Sequence, residues 1–168
     1  MIKIIDDFFN KKDFEAVKNF ALTKAFYTPI FYKNKISKKS FYGNQWKLKN
    51  EPNLLKLFIK QAELKFKIKI KKIDENNSAI DQRNLDTFKP HIDIEEGAKI
   101  NILIMIAGPT AVTNGTVFYT EQQLDIHVGF RENRGIIFPS NKFHSPHASD
   151  IPNLKRYTAT LFIKDYEE

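Results

Sequence analysis

His91-Ile92-Asp93 is the stretch of this chain best placed to do chemistry. On an extended segment successive side chains alternate between faces, so residues two apart project side by side. An imidazole and a carboxylate aimed at one point can hold a metal ion, and together they are two thirds of a 2-His-1-carboxylate site. By itself His-x-Asp is common by chance. Its meaning depends on whether the chain supplies a second histidine and a group that could anchor a co-substrate.

Three further histidines are present, His127, His144 and His147. His127 forms a second i, i+2 pair with Asp125, but Leu124, Ile126 and Val128 are expected to take the inward face there. That leaves Asp125 and His127 as a solvent-facing polar pair. His144 and His147 follow the apolar strand Gly135–Phe138, late enough to return across a barrel to His91 and Asp93. Residue types alone leave both open as the third ligand. On the closing segment Lys155–Lys164, alternation places Arg156, Thr158 and Thr160 on one face, opposite Lys155, Tyr157, Ala159 and Leu161. A guanidinium fork beside a hydroxyl suits a carboxylate. Taken alone, Arg156 reads equally well as a surface arginine on an edge strand.

The elements that must position these residues can be read in order. Ile2, Ile4 and Ile5 form a short strand that turns at Asp6-Asp7-Phe8-Phe9. Asn10 or Lys11 then opens an amphipathic helix carrying Phe14, Val17, Phe20 and Ala21, with Asp13 and Glu15 in its first turn. Residues 27–50 are aromatic strand-and-loop material, in which Tyr32, Tyr42 and Trp46 line an entrance or join the core. Glu51-Pro52 starts a second helix with apolar Leu54, Leu55, Phe58, Ile59 and Ala62. Alternating Phe66, Ile68 and Ile70 predict a half-buried strand, and Asp74–Ser78 a turn. From there the chain is strands and turns: 85–94 carrying His91 and Asp93, a turn at Glu95-Glu96-Gly97, then 98–106, 116–120, 123–128, 135–138 and 155–164. Two helices followed by at least seven strands predict an α+β, mainly β domain, a jelly roll supported by N-terminal helices.

Composition sets the outer limits. A chain of 168 residues with 42% hydrophobic content is one domain with a sizeable core, with helical support over roughly 1–65 and the jelly-roll core over roughly 66–166. The absence of cysteine excludes disulfides, thiolate metal sites and a Cys nucleophile, so any metal must rely on His, Asp, Glu or water. No signal peptide or membrane-length apolar run is evident, and a cytoplasmic setting is expected. The net charge of +7 comes from scattered lysines, as in Lys65–Lys72, and reads first as a solvated face and second as a phosphate-tracking patch.

With these residues in hand, the chain resembles the Fe(II)- and 2-oxoglutarate-dependent dioxygenases, in particular their small prolyl-4-hydroxylase-like branch. That branch reads His-x-Asp, an apolar strand, Gly-Gly-x-Thr-x-Phe, Phe-His-Ser, and Arg-Tyr-Ser in the final strand. This chain gives His91-Ile92-Asp93, Ile100–Ile106, Asn114-Gly115-Thr116-Val117-Phe118, Phe143-His144-Ser145 and Arg156-Tyr157-Thr158. The opening Ile4–Phe9 and the helix after it match as well, while 27–80 agrees only in general character. The spacing from the late histidine to Arg156 is longer than is usual, which implies a small insertion around Pro146–Pro152.

The resemblance implies a double-stranded β-helix and an iron site formed by His91, Asp93 and His144, with His144 preferred to His147 for its neighbours Phe143 and Ser145. It implies 2-oxoglutarate as co-substrate, its distal carboxylate held by Arg156 and Thr158, together with O2, and it admits ascorbate. Oxidative decarboxylation of 2-oxoglutarate to succinate would be coupled to hydroxylation of a substrate C–H, with a peptidyl residue such as proline as the nearest analogy. The alkylation-repair branch has a second arginine six positions after the first, where this chain has Phe162, and this weighs against nucleobase demethylation. Two other readings stand beside the enzyme. One is a non-catalytic, cupin-like metal-binding module, and the other a basic nucleic-acid partner or nucleic-acid-modifying oxygenase.

Overall fold

The computed structural model describes residues 1–32, 40–84, 90–93, 97–121, 123–147 and 155–168. Helix α1, Lys11–Asn19, begins where Asn10 Oδ1 accepts from the amide of Asp13 at 2.9 Å, satisfying a donor that the first turn leaves unpaired. It runs on as a π-helical turn, Phe20–Lys24. Helix α2, Pro52–Phe66, starts on the tolerated proline and ends at Lys67, whose φ of 57° turns the chain out of the helix. The strand expected over Phe66, Ile68 and Ile70 starts later than its alternation suggested. Leu55, Phe58, Ala62 and Phe66 repeat at helical spacing and all are buried, and that keeps Phe66 in the helix.

The strands are β1 (Lys3–Ile5), β2 (Thr28–Tyr32), β3 (Ser40–Lys47), β4 (Lys69–Ile73), β5 (Ala79–Asn84), β6 (Ile100–Ala107), β7 (Gly115–Thr120), β8 (Gln123–Gly129), β9 (Arg134–Pro139), β10 (His144–His147) and β11 (Lys155–Glu167). The larger sheet runs β1-β9-β6-β11-β5-β3-β2, with β4 pairing β11 beyond the end of β5. The smaller sheet is β10-β7-β8, and the strands pair antiparallel in both. The expected jelly roll is thus present, with its helices against the larger sheet.

Alternation divides the larger sheet into two unlike faces. Ile100, Ile102, Ile104 and Ile106 of β6 and Ala159, Leu161 and Ile163 of β11 pack in one cluster with Phe14, Val17, Leu55, Phe58 and Ala62 of the helices. Burying each of the Val, Leu, Ile and Phe side chains among these stabilises the fold by roughly 1.5–3 kcal/mol. The intervening residues look toward the smaller sheet. There Met105, Phe118, Val128, Phe130, Ile136 and Phe138 close one end of the sandwich with a second apolar cluster, and polar residues occupy the rest. Trp46 falls on the core side, its ring 4.8 Å from that of Phe20. The side chains of Tyr32 and Tyr42 lie outside the described residues.

The opening turn is fastened to the start of the neighbouring strand β9. The side chain of Asn133 accepts from the amide of Phe9 and donates to its carbonyl, while Asp6 accepts from Arg131 and Arg134. No helix among the described residues is long and apolar enough to cross a membrane.

Candidate metal centre and carboxylate site

The segment bearing His91 and Asp93 is not the regular strand expected over 85–94. Residues 85–89 and 94–96, including most of the turn at Glu95–Gly97, lie outside the described residues, and the regular strand, β5, ends at Asn84. His91 instead forms a single bridge to His144: its amide donates to the His144 carbonyl at 2.9 Å and its carbonyl accepts from the His144 amide at 3.0 Å. Two residues on, the amide of Asp93 donates to the Ser140 carbonyl at 2.9 Å. Ser140 is itself held on the start of β6, its amide donating to the Lys99 carbonyl and its hydroxyl to that of Ala98. Extended geometry therefore persists locally, and the two side chains share a face as the spacing predicts.

Three side chains converge as a result. The ligand atoms of His91, Asp93 and His144 all lie within 4.8 Å of one another. His91 Nε2 is 3.6 Å from Asp93 Oδ1, and His144 Nε2 is 3.3 Å from Asp93 Oδ2. His144 Nδ1 stands 3.0 Å from the Lys142 carbonyl, which can only accept. With Nδ1 engaged by that carbonyl, Nε2, which faces Asp93, is the nitrogen that would meet an ion, giving up any proton it holds as the ion binds. Burial works to raise the pKa of Asp93, but hydrogen bonding to His144 and the charges of His144, His91 and Arg83 outweigh it and hold the carboxyl below its ordinary value. Two imidazoles and an ionised carboxylate on one side of a point are a donor set that fits a divalent first-row metal with open positions.

The triad lies at a cavity of about 90 Å³ between the two sheets, and Arg156, Thr158, Thr160 and Phe162 of β11 line that same cavity. Arg156 is 4% exposed. Its Nη1 donates to the Gly115 carbonyl at 2.6 Å and to Asn114 Oδ1 at 3.3 Å, so Asn114, which closes the turn from Ala111, and Gly115, the first residue of β7, together fix the guanidinium. The glycine is required there. A Cβ at position 115 would sit 2.2 Å from the carbonyl oxygen of Val128 on the paired strand.

His147 is not near this group. It lies three positions after His144 on β10 and therefore projects from the opposite face, where its ring meets that of His127 edge to face with centroids 4.9 Å apart. His127 is exposed, as expected, but Leu124 does not take an inward position; it is 60% exposed. The β7–β8 register shifts between Phe118 and Tyr119, and this irregularity ends the regular facing of β8 before Leu124 is reached. The insertion inferred around 146–152 lies for the most part outside the described residues.

Sequence reasoning passed over four residues at the site. Asp81 and Arg83 of β5 sit directly across from Thr158 and Arg156 of β11, so all four side chains share the cavity face. Gln45 of β3 donates to Asp81 Oδ1 at 3.0 Å, and Arg83 Nη2 lies 3.5 Å from Asp81 Oδ2. The alternation in Asp81-Gln82-Arg83 between Ile80 and Asn84 was the available signal. Asn101, the one polar residue in the run Ile100–Ile106, donates from Nδ2 to Asp93 Oδ2 at 2.6 Å.

No family model matches the chain, and no curated protein matches it in sequence. Solved structures do. The chain superimposes on a 2OG-Fe(II) oxygenase family oxidoreductase from Burkholderia pseudomallei with a TM-score of 0.68 at 10% identity, over 99% of this chain and 84% of that one. HygX from Streptomyces hygroscopicus, determined with nickel, 2-oxoglutarate and hygromycin B, gives 0.67 at 8% identity over 99% and 82%. A prolyl hydroxylase from Trichoplax adhaerens, in complex with a hypoxia inducible factor peptide fragment, gives 0.58 at 13% identity over 96% and 82%. The fold is that of the Fe(II)/2-oxoglutarate oxygenases.

Proposed function

We propose that this chain is an Fe(II)- and 2-oxoglutarate-dependent oxygenase, with His91, Asp93 and His144 as iron ligands and Arg156 and Thr158 as the site for the distal carboxylate of 2-oxoglutarate. One observation carries the reading. Three ligand atoms within 4.8 Å of one another lie on a cavity that a buried arginine also lines. A structural metal site needs no carboxylate clamp, and this favours the enzyme over a cupin-like module. The solved structures of the same fold that hold 2-oxoglutarate lend support.

Each residue has a definite task. His91 and His144 present neutral nitrogens, and Asp93 brings the single negative charge that partly offsets a divalent ion. Arg156 offers donors toward the cavity from a position fixed by Gly115 and Asn114, and Thr158, buried beside it, adds a hydroxyl. Phe138, Leu103 and Phe162 form the apolar part of the lining, which excludes water and strengthens these charge contacts. When bound, iron with 2-oxoglutarate and O2 supplies the oxidative chemistry, converting 2-oxoglutarate to succinate and CO2 and hydroxylating a substrate C–H.

The primary substrate is read by analogy as a peptidyl residue such as proline. A nucleic-acid substrate has weaker support. Lys71, Lys99 and Lys164 gather near the end of β11, but they pair there with Glu167, Asp165 and Asp74, and Lys18 and Lys142 pair with Glu132 and Asp125 elsewhere, so these lysines are offset by acids. The test is anaerobic titration of the metal-free protein with Fe(II), then 2-oxoglutarate, following the weak visible charge-transfer band of the chelate. The wild type should develop the band and Asp93→Ala should not. No band in the wild type, or an equal one in the variant, overturns the proposal.

A further inference from the structure

Asn101 is 0% exposed, lies in the middle of the larger sheet and touches the candidate centre through a single atom. It stands across from Phe162 on β11 and Phe138 on β9, both of which line the cavity, so its side chain belongs to the cavity face and not to the helix-packed one. Its Nδ2 donates to Asp93 Oδ2 at 2.6 Å, the shorter end of the range for a hydrogen bond to an ionised acceptor. The amide orientation follows from this contact, because the reverse would set two acceptor oxygens against each other. Among the described residues its Oδ1 is buried without a hydrogen-bond partner.

A fully buried amide that uses only one half of its capacity lowers stability relative to an apolar residue of the same volume. Leucine is such a residue, and it would continue the apolar run of β6. What the amide provides is the contact with Asp93. That carboxylate has two oxygens: Oδ1 faces His91 and Oδ2 faces His144. Left to itself it could rotate about its last bond and offer either oxygen, or both, to an ion. A donor fixed on Oδ2 from a rigid central strand removes that freedom.

We infer that Asn101 is a positioning residue of the metal centre: it holds Asp93 Oδ2 so that the carboxylate meets the metal through Oδ1 in one fixed orientation. The inference rests on the iron-ligand reading above, and nothing in the chain's spacing pointed to it. Hydrogen-bond partners of metal ligands characteristically change metal affinity by roughly 10–100-fold when removed, and that is the expected size here.

The probe is Co(II) added anaerobically to the purified full chain, with affinity and visible absorption measured alongside thermal melting of the metal-free protein. Asn101→Leu should melt at or above the wild-type temperature, yet bind Co(II) about 10–100-fold more weakly and with an altered spectrum, because the carboxylate is free to change its mode. Asn101→Ser, whose hydroxyl is too short to reach Asp93, should weaken binding similarly if the leucine variant fails to fold. A variant that melts lower but binds Co(II) with wild-type affinity and spectrum reduces Asn101 to a structural role and overturns the inference. Asp93→Ala separates the two levels of the argument. If Co(II) binding survives it unchanged, the ligand reading itself falls and takes the inference with it.

Discussion

The two histidine pairs of this protein have the same ingredients and different surroundings. His91 and His144 have ring centroids 4.5 Å apart, and His127 and His147 have theirs 4.9 Å apart. Each pair includes a histidine with an aspartate two positions away, Asp93 in one case and Asp125 in the other. Even the strand is shared, since β10 carries His144 on one face and His147 on the other. The carboxylates make the difference. Asp93 faces both imidazoles and is held by Asn101 inside the sandwich, whereas Asp125 accepts from Thr120 and Lys142 on the outside. A shared face on one strand is therefore necessary for a metal site and not sufficient. The neighbouring strand decides which partner the carboxylate meets.

Breaking the inner pair should have the largest effect. His144→Ala is expected to abolish Fe(II) binding, measured by equilibrium dialysis, while His147→Ala and His127→Ala leave it within about twofold of wild type. The reverse result would move the third ligand to β10's outer face, against the geometry. Next in size is Arg156→Gln. Loss of charge-assisted hydrogen bonds worth about 1.5–3 kcal/mol should weaken 2-oxoglutarate binding by roughly 10–100-fold. Fe(II) affinity should be largely retained, and calorimetry of the two ligands in turn separates the effects.

Gly115 links the two regions, since its carbonyl accepts from Arg156 and its missing side chain leaves room for His127, whose Nε2 would lie 2.8 Å from a Cβ there. Gly115→Ala should cost about 1–3 kcal/mol of stability in a urea melt through this overpacking. The smallest effect concerns the outer pair alone. Partial desolvation of its ring, then the proximity of His147, pushes the pKa of His127 down from its ordinary value. The unfolded chain therefore binds this proton more readily than the folded one. The contribution to stability is complete above the unfolded pKa near 6.5 and is lost as pH falls through the lower folded value. His127→Gln should flatten that part of the profile of melting temperature against pH, and an unchanged profile would remove the pair's influence.

Much of the candidate site was legible in the sequence because its residues carry chemical signals that outlast errors in secondary structure. His91-Ile92-Asp93 kept its shared face although the strand assigned to it does not continue through it. Arg156, Thr158 and Thr160 were placed correctly because β11 is long and alternates cleanly. The failures have physical causes too. β10 is four residues, His-Ser-Pro-His, with no apolar alternation, so nothing marked it as the strand that separates His144 from His147. Asp81 and Arg83 were missed because no strand is expected from the sequence between the turn at Asp74–Ser78 and Leu85, where β5 lies. Asn101 is hidden within the apolar run Ile100–Ile106, whose two faces meet quite different environments. At Phe66, helical and strand periodicities coincide over so few residues that only the packing of α2 chooses between them.

The backbone bridge between His91 and His144 has a consequence for how an ion would be received. The ligand-bearing segments are tied to each other by main-chain hydrogen bonds, with Asp93 tied to Ser140 beside them, so their spacing does not depend on an ion to hold it. Loading such a site requires little ordering of the chain, and the entropy that a loose site would lose on binding has already been lost in folding. The amides of His91, Asp93 and His144 should accordingly resist hydrogen exchange before metal is added and change little afterwards, a signature of a socket built ahead of its occupant.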